Sequence, residues 1–213
     1  MATTNGPSAG QSNDEPTLNP RPGMADPGAW AVTAFATTSF MLGMYNAGLL
    51  DAKGASIVLP VAFFFGGLIQ ILVAVLEITR GNLFGAVVFG SYGPFWVIYG
   101  AIQTLFSHDI PAANLDSALS LFLAMFAVLS FFFLIASLRT DAVLVAIIAL
   151  IFIGLVLLAI GIGGGYTGAT KAGGWVTLVF AVLAWYHAAA DIIASTFGRT
   201  VLPVMPLKPK PGS

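Results

Sequence analysis

What this 213-residue sequence lacks narrows its chemistry before anything else does. It has no cysteine, so it can build neither a disulfide framework nor a thiolate metal site, and redox compartment cannot be read from it. Two histidines and no carboxylate pair at ligand spacing argue against a metal centre, and no cofactor is expected. No Gly-x-Ser-x-Gly elbow occurs, and no nucleophile, base and orienting group come together along the chain, so an enzyme is not the reading. Charge is the scarcest property of all. Only 8% of residues are charged, where ordinary soluble domains carry about 25%. The formal net charge of −1 is uninformative about partners; no nucleic-acid partner is expected.

What is present is apolar. Hydrophobic residues make up 58% of the chain and mean hydropathy is +0.93. Apolar runs longer than the roughly 18 residues needed to span a bilayer take up nearly everything after residue 29. The fold class expected is therefore an all-α integral membrane protein, a six-transmembrane-helix bundle. Its spans fall near Trp30 to Leu50, Ala55 to Thr79, Leu83 to Phe106, Ser117 to Leu138, Ala142 to Ile162 and Ala172 to Thr196. Short loops with turn residues join them, the last being the glycine-rich Gly163 to Lys171. Three regions follow: a disordered polar tail over 1–25, a six-helix transmembrane domain over 26–200, and a proline-rich tail over 201–213. The tail over 1–25 has no basic start and no apolar core, so it is not a secretory signal peptide.

No lysine or arginine falls within a span. With a cytoplasmic N-terminus, the inner side receives Arg21, Arg80, Arg139, Arg199, Lys208 and Lys210, and the outer side Lys53 and Lys171. That bias predicts a multi-pass protein of the cell membrane with both termini cytoplasmic.

The few polar groups in apolar sequence concentrate in residues 63–96. Gln70 and Glu77 lie two helical turns apart and share a face with Gly67 and Ala74. In the next span, Gly90-Ser91-Tyr92-Gly93-Pro94 predicts a break, because a proline leaves the Gly90 carbonyl without its usual partner. Such a break is tolerated where protein or a watery cavity covers it, so the stretch is a candidate passage lining. Phe35, Thr38, Leu42, Tyr45, Asn46 and Leu49 form a stripe on the first span, and Phe84, Val88, Tyr92, Phe95 and Tyr99 form one on the third. Lipid-facing packing and a polar-spotted pore both fit these stripes. Glu77 and Asp191 are carboxylates within spans, read either as proton sites or as interface residues pairing with Arg80 and Arg199. His187 precedes Asp191 by four residues, so the two can meet and titrate near neutrality. Gly81 and Gly85 match the small-residue spacing of close helix packing.

The sequence resembles the acetate uptake transporters, also called succinate–acetate permeases, over about residues 25–205. The residues that carry this likeness are Phe65-Gly66-Gly67, Gln70, Glu77, Gly81-Asn82, Phe84-Gly85 and Ser91-Tyr92-Gly93 with Phe95-Trp96, together with Phe197 to Pro203. One signature departs. The family's Asn-Pro-Ala-Pro-Leu-Gly-Leu aligns with Asp26 to Val32, which keeps the leading proline but loses the second proline and the glycine.

The resemblance implies six transmembrane helices per protomer, a pore in each protomer and assembly as a homohexamer. It implies transport of acetate and related small monocarboxylates, with succinate a further candidate, by a channel or a proton-coupled carrier. It also implies a constriction of Phe35, Tyr92 and Ile151, the last replacing a leucine. A small carboxylate is anionic at neutral pH, and stripping its water at such a ring is costly, so protonation or a co-moving proton is expected. Thr38, Asn46, Gln70, Ser91 and the Tyr92 hydroxyl are the candidate substrate donors, and Glu77, His187 and Asp191 the candidate proton sites. The competing reading is a non-transporting membrane sensor or scaffold that shares the fold.

Overall fold

The computed structural model of the protein describes residues 25–207. The tail expected over 1–25 lies outside them but for its last residue, and so do Arg21, Lys208 and Lys210, which enter the orientation argument. The described chain is all-helical. Six helices follow one another: α1 Gly28–Asn46, α2 Ala52–Thr79, α3 Leu83–Phe106, α4 Ala112–Ser137, α5 Ala142–Gly163 and α6 Thr167–Phe197. Five of them, α2 to α6, are long and apolar enough to cross a membrane. The 19-residue α1 is more polar because it carries Thr33, Thr37, Thr38 and Ser39. Three of those hydroxyls donate back to carbonyls of their own helix, Thr33 to Ala29, Thr37 to Thr33 and Thr38 to Ala34, at 2.8–2.9 Å. Bonded in this way, they ask nothing of the surroundings.

Local chemistry sets the helix ends. Asp51, Asn82 and Asp141 each accept a backbone N–H from the first turn of the helix that follows. Gly81 and Gly198 take left-handed φ values of 74° and 66° just past helix ends. Gly81 therefore serves a turn, and the expected small-residue packing motif of Gly81 and Gly85 is not one; Gly85 instead lies against the Asn82 cap. Three expected starts move outward, α2 to Ala52 from Ala55, α4 to Ala112 from Ser117 and α6 to Thr167 from Ala172, while α1 ends at Asn46 rather than Leu50. A side chain at Gly174 would collide with the backbone of Asn46 and Ala47, so that glycine lets α6 lie directly on the end of α1.

The predicted break at Gly90–Pro94 does not occur. Helix α3 runs through Pro94 without interruption, so no opened backbone lines a passage there. The irregularity sits on the neighbouring helix, where Ala62–Ile69 of α2 forms a π-helical stretch. This brings α2 and α3 together without side chains between them. A Cβ on Gly93 would lie 2.9 Å from the Ile71 nitrogen and 3.0 Å from the Gly67 carbonyl oxygen. Gly67 and Gly93 thus let the two helices approach closely at the level of the proline.

The helices pack in the cyclic order α3, α2, α1, α6, α5, α4. The circle closes differently between α3 and α4, whose backbones scarcely approach and which meet through aromatic side chains. Phe95 lies 5.1 Å from Phe122 and 5.0 Å from Phe126, ring centre to ring centre. Large apolar side chains such as Phe64, Ile78, Leu83 and Leu121 are exposed around the outside, as a lipid-facing bundle requires. After α6 the chain turns back along the α4–α5 turn, where Ala142 donates to the Met205 carbonyl and Leu207 to the Thr140 carbonyl at 3.0 and 2.8 Å.

Candidate functional site

Three helices carry side chains at a four-three-four spacing that faces the bundle axis. On α1 these are Phe35, Ser39, Leu42 and Asn46; on α3, Tyr92, Trp96, Tyr99 and Gln103; on α5, Ile151, Leu155, Leu158 and Ile162. Together with Phe122 of α4 and Thr177 and Phe180 of α6 they enclose a cavity of about 110 Å³. A second, smaller cavity of about 30 Å³ is lined by Val32, Gln70, Val88, Phe89, Ile147, Ile148 and their neighbours. Phe35, Tyr92 and Ile151 belong to the walls of both. All three are buried, and the Phe35 ring stacks on Tyr92 at 5.7 Å and on Phe180 at 5.6 Å. The larger space suits a small carboxylate, and the smaller has only the volume of one or two waters and an almost wholly apolar wall. Among the described residues, neither wall contains an Asp, Glu, Lys, Arg or His.

Of the expected substrate donors, Asn46 lines the large cavity, Gln70 the small one, and Tyr92 both. Thr38 and Ser91 line neither. Thr38 is buried against Gly66, with its hydroxyl spent on Ala34. The Tyr92 hydroxyl is also committed. It lies 2.8 Å from the Ser130 hydroxyl, which itself donates to the Phe126 carbonyl at 2.8 Å. Ser130 has one proton, so both bonds form only when Tyr92 donates to Ser130. Gln70 donates its amide to the Gly66 carbonyl at 2.6 Å, and its Oε1 is buried without a partner among the described residues. Two donors escaped the sequence reading: the Ser39 hydroxyl and the Trp96 indole N–H, both on large-cavity residues, both buried and unpartnered. Counting onward from Phe35 by four would have found Ser39.

The three candidate proton sites lie away from both cavities and in two groups. Glu77 is fully buried, 3.4 Å from the Arg80 guanidinium. Arg80 turns mainly to Asp26, at 2.9 and 3.1 Å, so the chain just before α1 is tied to the end of α2. Burial pushes the Asp26 carboxyl up, but hydrogen bonds from Arg80 and the Gly28 N–H, with the Arg80 charge, outweigh it and hold the carboxyl below its ordinary range. His187 sits between Asp141 at 3.1 Å and Asp191 at 3.5 Å. Asp141 is the partner sequence spacing did not supply, since it comes from the start of α5. No Arg199 contact to Asp191 is formed among the described residues; His187 takes that place.

Fold and cavities together define a multi-pass helical membrane protein with an internal, aromatic-walled space free of charged side chains. The chain belongs to the GPR1/FUN34/yaaH family, whose model matches residues 9–209. It is 31% identical over 181 residues to the succinate-acetate/proton symporter SatP of Escherichia coli K12, covering 85% of this chain and 95% of that one. Accumulation of dyads protein 2 of Saccharomyces cerevisiae is 32% identical over 184 residues, and the matched region spans 83% of this chain but 65% of the yeast protein's length. Among solved structures, the bacterial acetate channel SatP superposes with a TM-score of 0.79 at 31% identity, covering 85% of this chain and 99% of that one.

Proposed function

We propose that this protein transports acetate and related small monocarboxylates across the cell membrane, as a channel or a proton-coupled carrier rather than an enzyme. The observation that carries the reading is the pair of uncharged cavities that meet at Phe35, Tyr92 and Ile151. Three apolar or aromatic groups at one level form a constriction that filters by bulk before it reads charge. The names of the similar SatP proteins, a symporter and an acetate channel, support the substrate class.

In this reading α1 is the sixth span, its hydroxyls made tolerable in the membrane by their bonds to its own carbonyls. Each protomer has its own pore, a homohexamer buries part of the exposed apolar surface, and both termini are cytoplasmic. The acid enters the large cavity, where Ser39, Trp96 and Asn46 offer donors, and passes the constriction into the small one. Radiolabelled acetate uptake into proteoliposomes, corrected for leak through protein-free vesicles, tests this directly. Saturable uptake, competed by propionate better than by longer acids, is expected; binding without flux would favour the sensor reading.

A further inference from the structure

We infer that Gln70 reads the protonation state of the substrate, accepting a hydrogen bond from the O–H of the neutral acid, so that the acid and not its anion passes the Phe35–Tyr92–Ile151 level. The inference rests on the transport reading and deepens it.

The orientation of the Gln70 amide is fixed by its partner. The Gly66 carbonyl oxygen, 2.6 Å away, can only accept, so the Gln70 Nε2 must face it. That leaves Oε1 as the other end of a fully buried side chain on the small-cavity wall, and it has no donor. A buried acceptor without a donor costs free energy that an incoming O–H relieves. A carboxylate brings two more acceptors and makes the deficit worse. A neutral acid brings the missing proton.

The opposite face of the constriction has the opposite polarity. In the large cavity the unpartnered groups are the Ser39 hydroxyl and the Trp96 N–H, both able to donate. At the constriction itself the Tyr92 proton is spent on Ser130, so Tyr92 offers no donor there. A substrate moving from the large to the small cavity thus passes from donors to an acceptor. An anion is welcome at the first and not at the second.

Where the proton travels follows from what the walls lack. No Asp, Glu or His lines either cavity, and Glu77, His187 and Asp191 sit elsewhere. No wall side chain is therefore placed to carry a proton beside an anion. The substrate takes its proton from water at one mouth, carries it as its own O–H, and returns it to water at the other. No covalent bond to the protein is made, and net charge moved is zero.

The test uses the full chain in proteoliposomes, with leak through protein-free vesicles subtracted, and radiolabelled acetate as the probe. Wild-type uptake is expected to follow an imposed pH gradient and to ignore a valinomycin-set potassium potential. Gln70→Met, which keeps the volume and removes the acceptor, is expected to lower the maximal rate about tenfold or more with KM within about twofold, as losing a bond made only during passage does. Gln70→Glu retains both functions when neutral, donating to the Gly66 carbonyl and accepting through its other oxygen, so it is expected to recover rate at acidic pH and lose it at alkaline pH. Helical circular dichroism and gel filtration establish that each variant folds. If Gln70→Met does not fold, a Gln70→Glu rate equal to wild type at both acidic and alkaline pH overturns the inference. It is equally overturned by uptake driven by membrane potential as a single negative charge, or by Gln70→Met at the wild-type rate, and either leaves the transport reading standing. Absence of protein-dependent uptake in the wild type at every pH overturns both.

Discussion

The two cavities share three wall residues and differ in almost everything else. The larger is roomy, rich in aromatic faces and supplied with hydrogen-bond donors from Ser39, Trp96 and Asn46. The smaller is close to water-sized, lined mostly by aliphatic side chains with Phe35, Phe89 and Tyr92, and has one polar residue apart from Tyr92, Gln70, whose Oε1 is buried without a partner among the described residues. Neither difference arises from charge, because neither wall carries any. In the proposed reading, selectivity across an uncharged path comes from volume and from the sense of each hydrogen bond, two tasks assigned to different cavities.

The largest effect on that contrast comes from removing the boundary. Tyr92→Ala is expected to merge the cavities and raise the uptake of longer or branched acids relative to acetate, a discrimination worth about tenfold or more per excluded methylene. It also destabilises the protein by about 3–5 kcal/mol, as truncating a buried aromatic does. Competition assays with an acid series, alongside thermal unfolding in detergent, check both; unchanged selectivity would mean the ring does not sit at Tyr92. Next comes Ser130→Ala, which leaves the buried Tyr92 hydroxyl without its acceptor at a cost of about 1–3 kcal/mol. The midpoint of thermal unfolding should fall, and the combination Tyr92→Phe with Ser130→Ala should restore part of it.

Ser39→Ala and Trp96→Phe act on the large cavity alone. Each is expected to raise KM for acetate roughly five- to tenfold, in line with about 1–1.5 kcal/mol for one hydrogen bond, with maximal rate little changed. Loss of rate without loss of apparent affinity would place these donors in the passage step instead. The smallest effect belongs to Asp26→Asn, remote from both cavities. Asp26 is exposed, so its pairing with Arg80 contributes well under about 1 kcal/mol. Because its folded carboxyl is held below the ordinary range, that contribution is present above the unfolded value and fades as pH falls through the folded one. The difference in unfolding midpoint between wild type and Asp26→Asn should shrink in strong acid, while acetate kinetics near neutrality stay the same.

Much of this was legible in the sequence, and the part that was not has a physical cause. Spans and turns follow from hydropathy and from capping residues, so α2 to α6 were found with their starts shifted at α2, α4 and α6, where residues that read as loop turned out to be helical. Phe35, Tyr92 and Ile151 were named through family likeness, and the geometry puts them on a shared wall. Gln70 was picked out as a donor to substrate, and the structure has its amide N–H donating to the Gly66 carbonyl. Whether an amide donates or accepts depends on the carbonyl four residues back, and residue type does not reveal that. Thr38 was misjudged for the same reason. The expected break at Pro94 was assigned to the wrong helix, because a proline is visible in sequence and a π-helical stretch is not. The His187–Asp141 contact joins residues 46 positions apart, beyond the reach of any spacing argument.

One feature of the bundle bears on how a substrate gets through. At α1–α2, α2–α3, α1–α6 and α5–α6, glycines bring helices within touching distance, as Gly66, Gly93, Gly174 and Gly173 do. Between α3 and α4 there is no such contact, only stacked rings and the Tyr92–Ser130 bond. In mechanical terms the bundle is a spring clip with one open side, and in the proposed reading Tyr92 is both the wall of the passage and the clasp that shuts it. On that reading, slackening the clasp by a fraction of an ångström widens the bore at the proposed constriction while the rest of the clip stays rigid.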